Sequence, residues 1–526
     1  MSSRIIVDNI RIPVSADDRE AMQIAGRLLR KNGISFKKET LHVHKKSVDA
    51  RRKNNITFVV SVCAESEADI SDTKAISGVR FVSDEKLSFG CGTERMDGRP
   101  YIIGFGPAGI FCGIILAMHG LRPVILERGS CVEERVSKID AFYKTGILDT
   151  ETNIQFGAGG AGTFSDGKLV TRIGDSRTSF VLKKLHELGA PESILWNAKP
   201  HVGTDVLRNV ISNADKLITS LGGEIHYNTK AESVGDGYVV VNGEKIRCGV
   251  VILAPGHSSR DTYEKLLAMD FAVEAKPFSI GVRVEHLQSE LDRAMYGDES
   301  LFEKLGHAEY QLSHRVGDRG VYTFCMCPGG EVMAAASEEG GVVTNGMSRH
   351  ARDGKNANAA VAVSVLPSDF SGSPMGAIEF QRRLERAAFA AGGSTYAAPC
   401  QSVGAFFEGK AGGFGERIIP SYMNSNVKGA DFNKLLPDFA VSMLKSGLSV
   451  FGKRIAGYDA PDVPLTGIET RTSAPVRILR DDRLVAIGRD RIYPCGEGAG
   501  YAGGITSAAV DGIRVAEAIL SRFARE

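Results

Sequence analysis

Gly104, Gly106 and Gly109 stand at G-x-G-x-x-G spacing in Tyr101-Ile-Ile-Gly-Phe-Gly-Pro-Ala-Gly-Ile110, directly after a short β-branched run. Gly104 permits a tight turn, Gly106 lets a diphosphate approach the backbone, and Gly109 lets the following helix pack close to the strand. Pro107 and Ala108 open that helix, whose free N–H groups and dipole favour an anion. Gly113 and Gly120 continue its small-residue face, and Arg122-Pro-Val-Ile-Leu126 reads as a second strand. Glu127 ends that strand about twenty residues after the glycines, where an acid accepts from a ribose hydroxyl. With Arg128 beside it, this is a dinucleotide site.

Three further stretches belong with it. Asn153-Ile-Gln-Phe-Gly-Ala-Gly-Gly-Ala-Gly-Thr-Phe-Ser-Asp-Gly-Lys168 has five glycines in eleven residues, with Thr163, Ser165, Asp166 and Lys168 among them or just after. Such a loop, through Gly159, Gly160, Ala161 and Gly162, can set backbone N–H groups against phosphates or a ring edge. Gly249-Val-Val-Ile-Leu-Ala-Pro-Gly256 is an apolar strand running into a turn at Pro255 and Gly256, a second place where a sheet meets the cofactor. In the tail, Arg491-Ile-Tyr-Pro-Cys-Gly-Glu-Gly-Ala-Gly500 is strand then loop, with Glu497 after Gly496. Gly503-Gly504-Ile505 then opens an amphipathic helix to about Phe523. No internal repeat and no second G-x-G-x-x-G unit is present.

On the substrate side, Arg471 in Glu-Thr-Arg-Thr-Ser-Ala-Pro could hold a carboxylate or phosphate bidentately, offset charge on a reduced cofactor, or form a domain-interface ion pair. Arg283, with Glu285 and His286, and His350 are further candidates. Cys325-Met-Cys327 lies in an apolar run, and strand alternation places both thiols on one face, as core residues or as a redox pair. The absence of CxxC or CxxxxC near the cofactor motifs disfavours disulfide reductase chemistry.

The chain that positions these residues has 526 residues, enough for two or three domains, and a formal net charge of +1 that demands neither nucleic acid nor membrane. Sixty glycines suit cofactor loops, and nine cysteines without a disulfide framework point to a reducing compartment. No leader and no membrane-length apolar run is visible, so a cytoplasmic enzyme is expected. Residues 1–95 read as a small α+β module of ferredoxin-like character, with a strand at Arg4 to Val14 and a helix at Asp17 to Lys31. Further strands are expected around Phe36–His44, Ile56–Cys63 and Val79–Val82. Residues 96–275 read as the first part of the dinucleotide domain, with a helix at Thr204–Leu221. Residues 276–470 read as an inserted substrate domain, in which Gly340–Ser348 is a polar-glycine loop, and 471–526 as the return to the dinucleotide domain. From Arg27 to Lys53 ten Lys/Arg face only Glu39 and Asp49. The block of residues 45–53 is either a solvated face or a surface for an anionic partner such as RNA, which would bind in a salt-dependent way.

Glu497, just before a Gly-Gly helix start, resembles the acidic second motif of two-dinucleotide-binding flavoproteins. In that family the acid accepts from the ribityl chain and the following helix aims its N-terminus at the flavin N1/O2 edge, where reduced flavin gathers negative charge. Ala254-Pro-Gly256 resembles that family's Ala-Thr-Gly motif, with proline in place of threonine, and Ala231 occupies the place where backbone groups hold adenine. More narrowly, the chain resembles a bacterial family of FAD-dependent dehydrogenases with an N-terminal module. The resemblance runs through Lys46-Ser-Val-Asp-Ala-Arg51, Gly159–Lys168, Lys199-Pro-His-Val-Gly-Thr-Asp205, Gly281-Val-Arg-Val-Glu-His286, Thr344-Asn-Gly-Met-Ser348, Asn356-Ala-Asn358 and Glu469-Thr-Arg-Thr-Ser-Ala-Pro-Val-Arg477. It implies an α/β, Rossmann-like FAD-binding domain of glutathione-reductase type, with Asp166 and Lys168 on the cofactor side. The function it implies is an FAD-dependent oxidoreductase, with NAD(P)H open as a transient electron donor. An RNA-directed flavoenzyme and a non-enzymatic flavin-binding protein are the alternatives.

Overall fold

The computed structural model describes residues 3–66, 76–83 and 87–524. A five-stranded parallel sheet carries the order Ile492–Pro494, Val251–Leu253, Tyr101–Ile103, Val124–Leu126, Glu224–His226. Its inner strands are apolar triplets buried almost throughout, as expected where helices cover both faces. Glu224–His226, with both ends exposed, forms one edge. From Tyr101–Ile103 the chain steps outward through Val124–Leu126 to Glu224–His226. It then returns to lay Val251–Leu253 on the other side of Tyr101–Ile103. The order therefore reverses between those two strands, and ligands of open parallel sheets sit beyond the strand ends at such a reversal.

The helix Pro107–Met118 is buried from Ala108 to Ala117, so it packs on all sides rather than along one stripe. Its main partner is the last helix, Ile505–Arg522. The helix expected at Thr204–Leu221 spans Thr204–Ser220, and a three-stranded antiparallel meander covers 233–247.

Downstream, a seven-stranded sheet runs Ser313–Val316, Arg319–Cys327, Asn356–Val365, Phe278–Leu287, Pro464–Glu469, Ala398–Ser402, Val427–Gly429, antiparallel except for its last pair. Phe278–Leu287 and Asn356–Val365 pair over their full lengths. The expected loop Gly340–Ser348 is half strand: Thr344–Ser348 pairs with Gly330–Ala334, and Thr344, Gly346 and Ser348 are buried at alternate positions. Polarity misled here because these groups bury against the sheet's own polar cluster rather than facing water.

At the N-terminus, four antiparallel strands order as His42–Asp49, Thr57–Glu65, Ser3–Pro13, Val79–Ser83, with the helix Asp18–Lys31 packed on them. Asp17 caps that helix by accepting from the N–H groups of Arg19 and Glu20. The strand expected at Phe36–His44 lies later. Lys38–Thr40 is a 3₁₀ turn held by the Thr40 hydroxyl on Lys37 O, and the strand begins at His42, so Lys45 and Lys46 sit in a strand. The module docks by backbone bonds, Lys46 N–H to Trp196 O and Ala198 N–H to Lys46 O. No helix among the described residues is long and apolar enough to cross a membrane.

Candidate functional site

Stretches distant in sequence gather at the reversal of the sheet. Gly104 has φ +105°, and a Cβ there would strike Ala254 O at 2.3 Å. A Cβ on Gly109 would lie 2.1 Å from Gly104 O, so the helix packs on the turn with no room for a side chain. Gly106 differs: the nearest atom to its missing Cβ is Gly160 Cα at 3.9 Å, so it faces space bounded by the second glycine loop. Gly162 in turn would bring a Cβ to 3.1 Å from Ile505 Cγ1 and 3.9 Å from Pro107 Cγ. Gly498 abuts the Gly256 backbone. The helices beginning at Pro107 and Ile505 have glycine N-caps, Gly106 and Gly504, and neither has a side-chain cap. Their first-turn N–H groups are left for a ligand. Gly256, Gly503 and Gly504 have nothing within 4 Å of a Cβ position. An open cradle with two uncapped helix starts fits a dinucleotide diphosphate and a ring that gathers negative charge.

Glu127 is 5 % exposed. Its Oε1 accepts from Gly129 N–H (2.9 Å) and Gly157 N–H (3.0 Å), and its Oε2, among the described residues, accepts only from Phe105 N–H (2.8 Å). Oε2 keeps a lone pair for a ribose hydroxyl. Arg128 is committed elsewhere: it pairs with Glu151 and Asp261 and lies over the Phe156 ring. Thr163 and Ser165 close the glycine turn through Ala158 O and Gly162 O. Ala231 packs, half-buried, against the apolar cluster that includes Ile103 and Leu126.

Arg135 escaped the sequence reading. It is fully buried, and its guanidinium donates to the carbonyls of Asn153, Ile154, Gly157, Ala158 and Gly160. Burial lowers its pKa to about 9, with Glu127 pulling the other way. A signal existed: Val132, Arg135, Ile139 and Phe142 form the buried stripe of one helix, so a cation occupies an apolar-face position.

Glu497 is half-buried, and burial pushes its carboxyl up to about 7 against the pull of Lys276 and the Gly504 N–H. Lys276 is itself lowered by burial. His257, next to Gly256, is pushed down to about 4 by burial and by Arg471, Arg260 and Lys276, so it is neutral near pH 7. Of this cluster the sequence reading singled out only Arg471; His257, Arg260 and Lys276 escaped it, because three separate segments bring the members together.

Arg471 does not point into an open pocket. Its donors go to Glu385 (2.9 and 3.2 Å) and the Ser337 hydroxyl, and Glu385 is shared with Arg260 (2.6 and 2.8 Å) and the Thr470 hydroxyl. It serves the interface between two parts of the chain. Arg283, 0 % exposed, spans Glu469, Asn345, Asn358 and Cys325 O within the seven-stranded sheet. His350 is held by its ring to Val202 O and stacked on His201. Asp166 pairs with Arg352 and accepts from Ser348; burial opposes its charge, but Arg352 and Lys168 outweigh it and hold the carboxyl low. Lys168 reaches Met326 O. These two therefore tie the glycine loop to the downstream sheet.

The expected alternation at Cys325–Cys327 is broken by a bulge between Phe324 and Cys327. Cys325 takes φ +43° and is exposed, whereas Cys327 is buried. Protein atoms around the Cys325 thiol still hold its pKa up at about 12, which leaves it a poor nucleophile. In the basic block, Lys46 pairs with Asp18 and Arg51 with Asp49, and Lys45, Arg52 and Lys53 are exposed.

Residues 277–472 match the family model described as FAD-dependent protein, C-terminal domain-like. The chain is 48 % identical over 497 residues to a protein of Clostridium beijerinckii described as uncharacterized, covering 92 % of both chains. Among solved structures, it is similar to the halogenase PltM in complex with phloroglucinol and FAD (13 % identity, TM-score 0.35, 81 % of this chain and 71 % of that one). It is also similar to CtdE in complex with FAD (15 % identity, TM-score 0.32, 80 % and 84 %).

Proposed function

Because the chain belongs to one family with the clostridial protein, and its cofactor is FAD, we propose that it is an FAD-dependent oxidoreductase of glutathione-reductase-like architecture. Its organic substrate would lie between the FAD-binding domain and the inserted domain 276–470. The observation that carries this reading is the meeting of four glycine-bearing stretches and two uncapped helix starts at the reversal of the parallel sheet.

Pro107's helix start and the 159–163 turn would hold the diphosphate, Glu127 the ribose, and the backbone at Ala231 the adenine. Glu497, the Pro255–Gly256 turn and the helix start at Ile505 would face the flavin. FAD supplies the hydride acceptor or donor when bound. The residues around it do the rest. The first-turn N–H groups from Ile505 onward would present dipoles to negative charge at the ring edge, while the Gly504 N–H serves Glu497. Lys276, coupled to Glu497, adds positive potential there, whereas Arg260 and Arg471 are offset by Glu385 and Glu338 and neutral His257 adds none. Glu497, with its carboxyl near 7, can hold a proton at physiological pH.

The purified full chain should show flavin absorbance, and Glu127→Ala combined with Glu497→Ala should lose it while circular dichroism stays unchanged. A colourless wild type, or an unaltered spectrum in the double variant, would remove the basis for this reading. Photoreduced protein that passes electrons to no acceptor in a broad screen would instead favour a flavin-binding protein without an enzymatic role.

A further inference from the structure

We propose that Arg135 is the positioning residue that shapes the turn 157–162 into a diphosphate cradle, holding its carbonyls on one side so that the Ala161 N–H faces the other. The proposal rests on the FAD reading above and deepens it.

Arg135 Nε donates to Asn153 O (2.9 Å) and Nη2 to Ile154 O (3.0 Å). Nη1 donates to Gly157 O (3.2 Å), Ala158 O (2.7 Å) and Gly160 O (3.0 Å). In a trans peptide C=O and N–H point opposite ways. Drawing the Gly160 carbonyl to the guanidinium therefore turns the Ala161 N–H away from it. Ala161 lies in the first turn of the 3₁₀ helix Gly160–Phe164, where N–H groups have no helical acceptor. The Gly159 N–H, turned the same way, binds Phe105 O at 2.8 Å and so ties this turn to the first glycine motif.

Two more contacts fix the arrangement. Glu127 takes the Gly157 N–H, gripping the turn from the amide side. A Cβ on Gly157 would lie 2.5 Å from Arg135 Cδ, so the turn rests directly on the side-chain stem. The guanidinium has no carboxylate within ion-pair distance among the described residues; it meets five carbonyls and lies 4.7 Å from the Phe164 ring centroid, with the Glu127 charge opposing its burial from further off. A buried charge is costly where its opposite charge is distant. A diphosphate on the far side of the turn would add to Glu127.

Lysine keeps the charge but cannot fan across five carbonyls. Full-length Arg135→Lys and wild type, both stripped of flavin, should be titrated with FAD, ADP and AMP by calorimetry. The FAD dissociation constant should rise at least tenfold, the preference for ADP over AMP should fall towards one, and AMP affinity should stay within twofold. Unchanged FAD binding, or equal loss for ADP and AMP, would overturn the proposal in favour of a merely structural role. Should the variant fail to fold, hydrogen exchange on wild type decides. The Ala161 amide should gain protection with FAD and ADP but not with AMP, and no protection there would reject the cradle. Wild type that binds no FAD would instead refute the proposed function.

Discussion

Glu497 is the residue whose protonation depends most on the fold. Its carboxyl is raised from the ordinary range to about 7, chiefly by burial. A raised carboxyl makes ionisation easier in the unfolded chain than in the folded one. Its penalty is absent below the ordinary range near 4.5, grows as pH rises through the interval, and is complete above about 7. In flavin-free protein, Glu497→Gln should therefore be more stable than wild type at pH 8, by on the order of 2 kcal/mol, and nearly equal to it at pH 4. Urea midpoints at the two pH values measure this, and parallel behaviour at both would mean that the carboxyl is not raised. At this scale the glycine motif and Glu127 were legible because their chemistry is local. His257, Lys276 and Arg260 were not, because only the fold brings their charges together.

Among elements, the crossing of Pro107–Met118 with Ile505–Arg522 holds together two helices from opposite parts of the chain. Gly512 makes that crossing possible: a Cβ there would lie 2.2 Å from Ala108 O and 3.0 Å from Ala108 C. A backbone acceptor cannot move aside as a side-chain tip can. Gly512→Ala should cost about 1–3 kcal/mol of stability through overpacking. It should also weaken flavin retention, because both helix starts would shift. A melting temperature unchanged in the apo protein would show that the helices separate more easily than this contact implies. Helices and apolar strand triplets were readable from periodicity and β-branching. The displaced strand at His42–Asp49, the hairpin at Thr344–Ser348 and the bulge at Cys325 were not, since pairing partners determine them.

Across the whole molecule, one buried ion network joins three segments that are far apart in the chain. Arg260 comes from the helix Arg260–Ala268, Glu385 from Pro374–Ala391, and Arg471 from just after the strand Pro464–Glu469. Burial works against Glu385, but Arg260 and Arg471 outweigh it and hold its carboxyl well below the ordinary range. Removing it would leave two buried guanidinium groups facing each other. Glu385→Ala should destabilise the protein by about 3–5 kcal/mol in denaturant titration. A loss below about 1 kcal/mol would mean that solvent reaches the network.

The sequence by itself determined that a dinucleotide is bound and where the glycine turns and the acid Glu127 lie, because a tight turn and a close phosphate approach require glycine wherever they occur. It also carried the two glycine-capped helix starts at Pro107 and Ile505, each written in a few adjacent residues. Only the tertiary structure decided what the arginines do. A guanidinium reads the same whether it faces a substrate, a carboxylate or a row of carbonyls, and its partner is chosen by chain segments that local sequence does not relate. Thus Arg471 and Arg283 are spent on buried carboxylates, while Arg135, hidden in a helix stripe, supports the turn that opens towards Gly106.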